Sequence, residues 1–219
     1  MSERKQFTLS SILLCEGKED RAFFEALIAT RGITPMHVVT TQGETESGGG
    51  NSKFGNTLNG LRANRRGFTL IRDVLIVSDN DDSQENSFQA ICNQLSGSGF
   101  APPPAPLERS TGNPRITIMM LPLEDEPGHL ESVCVPAARS VYHPTTTAID
   151  YFAAMLRADE WEVRRKAKFW LRVALAAGCE KDPFVYLSKV FSDPKLNGLI
   201  PLGHNSLDPI ADVLSSFRG

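Results

Sequence analysis

The stretch Val74-Leu75-Ile76-Val77-Ser78-Asp79-Asn80-Asp81-Asp82 decides the fold. A short, unbroken apolar run that ends abruptly in polar residues reads as a strand, and acidic residues at its end mark a place where chemistry can gather. A second stretch has the same plan: Ser11-Ile12-Leu13-Leu14-Cys15, stopped by Glu16-Gly17-Lys18-Glu19-Asp20. Its length fits a buried parallel strand better than a helix. In a parallel sheet the two strands end on the same edge, which is where doubly wound α/β proteins bind ligands.

Working outward, Ala22, Phe23, Ala26, Leu27 and Ala29 fall at helical spacing over residues 20–30, closed by Gly32. Residues 36–40 predict the next strand, so the opening of the chain reads as a βαβ unit. Residues 42–51 predict a mobile loop, and its Gly48-Gly49-Gly50 run lacks the Lys-Ser/Thr ending of a phosphate-binding P-loop. A short helix follows over residues 53–64, with Phe54, Leu58 and Leu61 on one face. Another carries Phe88, Ile91, Cys92 and Leu95. The proline-rich residues 101–106 predict an extended surface connection, and residues 115–121 a fourth strand ended by Pro122. Beyond it the pattern is helical, over residues 128–135, 147–157, 160–177, 183–191 and 208–217. The expected architecture is α/β: a four-stranded, mainly parallel sheet flanked by helices over residues 8–136, with a helical portion over 137–219 packed on the same core.

A net charge of -3 excludes a general nucleic-acid binder, because backbone affinity comes from surplus Lys and Arg. Any such contact needs a local basic patch or a cation at the acidic site. The N-terminal residues MSERKQFTLSSILLCEG lack the features of a secretory signal, and no apolar run reaches the roughly 18 residues of a membrane span. A cytoplasmic protein without a membrane partner is expected. Cys15, Cys92, Cys134 and Cys179 form no CxxC pair and read as buried free thiols. The histidines, His37, His129, His143 and His204, show no ligand spacing.

Asp79 and Asp81 are two apart, so in an extended segment their side chains point the same way. With Glu16 on a neighbouring strand, three carboxylates would share one small volume. Like charges at that distance require a shared proton, a basic partner or a bound cation. Oxygen ligands alone suit a hard ion, Mg²⁺ better than Ca²⁺, and the lack of His or Cys in either motif argues against zinc. Each feature also has a plainer reading. D-x-D commonly solvates a loop, Glu16 fits a helix N-terminal charge, and Asp20 fits a cap.

The segments LLCEGKEDRAFFEAL, VLIVSDNDD and LPLEDEPGHLESVC together resemble the Toprim superfamily of topoisomerases, primases and OLD-family nucleases. The similarity is greatest to its small stand-alone members of the DUF3226 and DUF4435 type, and it runs from Ser10 to Val135. The resemblance implies a Toprim-like, Rossmann-like fold. It implies Glu16 as general acid/base and metal neighbour, Asp79 and Asp81 as ligands of Mg²⁺ or Mn²⁺, and Glu131 as the residue completing a second metal position. Two such ions would stabilise the attacking and leaving oxygens of a phosphodiester displacement. OLD-like nucleases also imply a C-terminal lysine near the metals, for which Lys166 and Lys168 are the candidates. Tyr142, Tyr151 and Tyr186 lack the context of a topoisomerase nucleophile, and neither a primase's appended regions nor a Walker A sequence is present.

The strongest basic feature is Arg164-Arg165-Lys166-Ala167-Lys168 with Arg172. On a helix, Arg164, Lys168 and Arg172 align opposite a buried stripe of Val163, Ala167, Trp170 and Ala174. Arg164, Arg165, Lys168 and Arg172, with Lys18 of the first motif, are the candidate nucleic-acid contacts, although such a face is commonly just solvated. Arg62, Arg65 and Arg66 form a second basic spot, while Trp161 and Trp170 read as core. The expected function is Mg²⁺-dependent phosphodiester cleavage of DNA or RNA. The alternative is a non-catalytic module binding nucleic acid or nucleotide, or the partner of a separately encoded ATPase. A phospho-accepting or nucleotide-transferring edge is a third, weaker reading.

Overall fold

The computed structural model describes residues 6–41, 53–64 and 66–217. The glycine-rich loop expected at 42–51, and Arg65, lie outside the described residues. Four strands form one all-parallel sheet in the order β2-β1-β3-β4. They are β1 (Ser11–Cys15), β2 (His37–Thr40), β3 (Asp73–Asp79) and β4 (Arg115–Leu121). β1 and β3 are central neighbours, with Leu13 opposite Leu75 and Leu14 opposite Ile76. The two decisive stretches therefore lie side by side, ending on one edge.

Strand alternation divides the core in two, because successive side chains face opposite sides. Leu13, Cys15, Leu75, Val77, Met119 and Leu121 face one layer of helices. Ile12, Leu14, Val74, Ile76, Ile116 and Ile118 face the other. The second layer is α2 (Phe54–Asn64) and α3 (Gln84–Gly97), bringing Phe54, Leu58, Ile91 and Leu95. The first is α1 (Lys18–Arg31) with the C-terminal helices α4 (Leu130–Val141), α6 (Val163–Gly178), α7 (Leu187–Ser192) and α8 (Asp208–Ser216). Helix α5 (His143–Met155) lies outside this layer and adds Ile149 to it.

α1 starts after Gly17, whose N–H donates to Asp20 Oδ2 at 2.8 Å, and ends at Gly32 with φ of 62°. That left-handed stop is the conformation glycine adopts without a Cβ penalty. Arg31 in its last turn donates to the carbonyls of Leu202 and His204 and pairs with Asp208 at 2.9 Å, tying the chain's two ends together. Position 136, where the sequence pattern separates sheet from tail, lies inside α4, and the apolar cluster beneath the sheet runs on to Phe217.

Three expectations are corrected in detail. α4 continues through Pro136 to Val141 rather than stopping at 135, and α5 starts four residues early, at His143. Val163 is half exposed, so the buried stripe of α6 begins at Trp170 and continues through Leu171, Ala174 and Leu175. After the proline-rich connection, the chain folds back on the outer edge of β4. There Leu107 N–H donates to Ile118 O and Ser110 N–H to Ile116 O, each at 2.8 Å, closing an edge that would otherwise offer free backbone groups. The four cysteines are free and buried, as expected. Among the described residues, no helix is long and apolar enough to cross a membrane.

Candidate functional site: an acidic sheet edge

Glu16 follows the last residue of β1, and its Oε1 accepts the Ser78 hydroxyl at 2.6 Å and the Asp79 N–H at 3.4 Å from the end of β3. Burial pushes the Glu16 carboxyl up, opposed by those two bonds and reinforced by the charge on Asp81. Asp79, the last residue of β3, accepts the Leu130 N–H at 3.1 Å, which places it at the first turn of α4. Burial holds its carboxyl well above the usual range, and the charges of Asp20, Glu16, Glu131 and Asp81 act the same way. Asp20 is raised to about 7, first by burial and then by Glu16, Glu131 and Glu19. Burial and Glu131 also raise Glu19, against the pull of Arg172, Lys18 and Lys168. Six carboxylates thus feel one another across a single edge.

The extended-chain picture of Asp79 and Asp81 fails after Asp79. Asn80 is wholly buried, and Asp81 has a φ of 51°, a left-handed conformation that Asp tolerates better than most residues. Asp81 O accepts the Gly128 N–H at 3.1 Å. Its carboxylate leans toward Arg164 at 3.6 Å, while Glu131 leans toward Lys168 at 3.8 Å. Among the described residues, no three His, Cys, Asp or Glu side chains are drawn onto one point as a ready ligand set. Mutual repulsion and the two basic arms account for that spacing.

The donor chemistry nevertheless suits a hard cation. The side chains gathered along this edge are carboxylates, and Glu16, Asp20 and Asp79 are all partly buried. Glu16, Asp79 and Asp81 are the residues that would hold Mg²⁺ or Mn²⁺, with Glu131 reaching a second position once released by Lys168. His129, at the start of α4, is buried and pushed down to about 4 by burial and by Lys168 and Arg164, so its ring is neutral.

The basic residues separate into two groups. Arg164, Lys168 and Arg172 act on the acidic edge, through Asp81, Glu131 and Glu19. Lys166 instead donates to the Asp159 carbonyl at 2.7 Å, and Arg165 stacks on the Trp161 ring at 3.9 Å. Lys18 sits 5.7 Å from the Tyr186 ring centre while its charge still reaches Glu19. Arg62 stacks on Phe100 at 4.7 Å, away from the edge. Trp170 is core as expected, whereas Trp161 is half-buried.

Residues without a motif complete the edge. Ser78 supplies the short bond to Glu16. Asn80 Nδ2 donates to the carbonyls of Pro122 at 2.9 Å, Glu124 at 3.0 Å and Glu126 at 2.7 Å, clamping the turn that leads to Glu131. The signal for Asn80 in the sequence is its place between two aspartates at the end of a buried strand. Asp20 caps α1 as expected, and it also belongs to the acidic cluster.

Fold and edge together define an α/β protein whose parallel sheet presents a partly buried carboxylate cluster at the C-terminal ends of its central strands. The chain belongs to the family described as protein of unknown function (DUF3226), whose model matches residues 10–185. No curated protein and no solved structure matches the chain.

Proposed function

We propose that this is a Toprim-like protein, related to the OLD-family nucleases and to the DUF4435 type. In this reading it takes up Mg²⁺ or Mn²⁺ at Glu16, Asp79 and Asp81 and cleaves phosphodiester bonds in nucleic acid. The observation that carries the reading is the joining of Glu16 to Ser78 and Asp79 across the ends of β1 and β3, with Asp79 also held at the first turn of α4, at the edge where such sheets bind ligands. The cation would supply charge neutralisation and polarisation of a phosphoryl oxygen. Glu16, raised by burial and held by Ser78, is the group placed to take up and release a proton. Arg164, Lys168 and Arg172 orient phosphate oxygens.

One observation favours a second reading. Asp81 and Glu131 already meet Arg164 and Lys168. An edge neutralised from within suits a non-catalytic module that binds nucleic acid or nucleotide, or that docks on a separately encoded ATPase. The test is incubation with supercoiled DNA, single-stranded DNA and RNA in Mg²⁺ or Mn²⁺, beside Asp79→Ala and Glu16→Ala and with cation binding followed by calorimetry. Metal-dependent cleavage lost in both variants is expected. Cleavage surviving both would remove the site, and cation binding without cleavage would leave the module reading.

A further inference from the structure

Helix α5 has the composition of a buried helix and the position of an exposed one. Its run Ile149-Asp150-Tyr151-Phe152-Ala153-Ala154-Met155 is apolar nearly all round, yet Ile149 is its one buried residue among the described side chains. A helix apolar on every side normally lies within a core. Of the ten large apolar side chains exposed among the described residues, six lie on or beside α5: Val141, Tyr151, Phe152, Met155, Leu156 and Val163. Tyr151 is 69% and Met155 66% exposed. Residues 151, 152, 155 and 156 fall within one side of the helix, so the exposure is a continuous ridge.

Beside the ridge runs a groove of about 860 Å³ between α5, α4 and α6. Its walls are small and apolar, with Val135, Ala153, Ala154, Ala158, Ala167 and Phe169 among them. Its charges balance, three cations against three carboxylates, and each cation is engaged. Arg139 holds Asp150 through two bonds of 2.9 and 2.7 Å, Arg157 pairs with Glu160, and Lys166 donates to the Asp159 carbonyl. A polyanion gains nothing on such a surface. With its charges satisfied from within, this face has mainly apolar surface to offer, and a second copy of the chain brings the same ridge and the same groove to it.

We propose that this face is where two copies of the chain associate, the Tyr151–Met155 ridge of one seating in the groove of the other. At roughly 100 Å² per half-exposed large side chain, the six residues offer on the order of 500–600 Å² of apolar surface. That is the larger part of the ~800 Å² that each partner contributes to a standard interface, and it lies at the upper end of what a monomer leaves open. The association goes beyond the proposed activity and stands independently of it. The acidic edge and the Arg164–Lys168 side of α6 stay outside the contact.

Sedimentation equilibrium of the full chain, from about 1 to about 200 µM, tests the pairing by mass action. A species of twice the 24.0 kDa of one chain is expected. Tyr151→Glu with Met155→Glu is expected to weaken association at least ~30-fold, with the circular dichroism spectrum unchanged. Ala154→Trp, which narrows the groove while keeping the ridge side chains, should do the same. Phe184→Glu, at a residue 84% exposed that lies on neither the ridge nor the groove wall, should leave the pairing intact. A single-chain mass throughout the range overturns the proposal. So does association that survives both the ridge and the groove variants, or that is lost only in Phe184→Glu.

Discussion

Strand β3 begins and ends on an aspartate, and the two ends are built in opposite ways. Asp73, at the start, has no exposed surface and meets Arg115 at 2.7 Å, one strand over on β4. Asp79, at the finish, is partly buried, and the groups acting on it are Asp20, Glu16, Glu131 and Asp81. Asp73 Oδ2 takes the Arg115 guanidinium while Oδ1 stays buried without a hydrogen-bond partner among the described residues, so the charge is paired across two neighbouring strands but the carboxylate is not fully satisfied. A carboxylate drawn in among its own kind carries a cost of like-charge repulsion, and at this edge the basic side chains Arg164 and Lys168 reach Asp81 and Glu131 rather than Asp79 itself. In the proposed function, that cost is what a bound cation would relieve.

The contrast breaks most directly by removing one charge at each end. Asp79→Asn keeps an acceptor for the Leu130 N–H and deletes the charge, so divalent-cation affinity should fall about 100-fold or more, as read by calorimetry. Cation-free stability should hold or rise. Arg115→Met should do the reverse, lowering the urea midpoint by leaving the Asp73 charge buried without its partner, while cation affinity stays unchanged. A loss of cation affinity in the Arg115 variant would show that the two ends are not separate.

This difference was only half legible in the sequence. Runs such as Leu75-Ile76-Val77 declare buried parallel strands, and Glu16-Gly17 and Asp79-Asn80-Asp81 declare a polar edge, because burial and chain reversal are local properties. The order β2-β1-β3-β4 then puts Glu16 beside Asp79, as the motif pairing implied. The turn at Asp81 was not readable, since it depends on Gly128 arriving from a distant loop. Nor was the role of Asn80, whose three carbonyl partners lie more than forty residues away. The basic helix was visible as a basic helix. Which of its cations face the edge was fixed by packing: Trp161 holds Arg165 and the Asp159 carbonyl holds Lys166, while Arg164 and Lys168 remain directed at the acids.

Acidity sharpens the comparison next. Asp20 titrates at about 7 in the folded chain against about 3.9 when unfolded, so between those values the native state holds the extra proton. Stability then falls as pH rises through that window, being fully present on its acid side and lost above about 7. Glu16, Glu19 and Asp79 are raised as well and act in the same direction. The melting temperature without divalent cation should therefore drop by a few degrees between about pH 5.5 and pH 8. Mg²⁺ should restore it, and by more at pH 8, because a cation must displace protons that are already gone there. A melting temperature that rises steadily over this range, with or without Mg²⁺, would mean that the edge is neutralised by its own basic arms.

The smallest effect separates those arms from the cation most finely. Lys168 stands 3.8 Å from Glu131, a half-exposed contact worth under about 1 kcal/mol. In the metal-binding reading, Lys168 and a cation compete for Glu131, and Lys168 must also orient phosphate. Lys168→Met should then move the two measurements in opposite directions, raising cation affinity a few-fold while lowering cleavage. A pair that merely fastens α6 to α4 would instead change stability and leave both measurements where they were. The sign of the change in cation affinity therefore decides what Glu131 is held for, whatever its size.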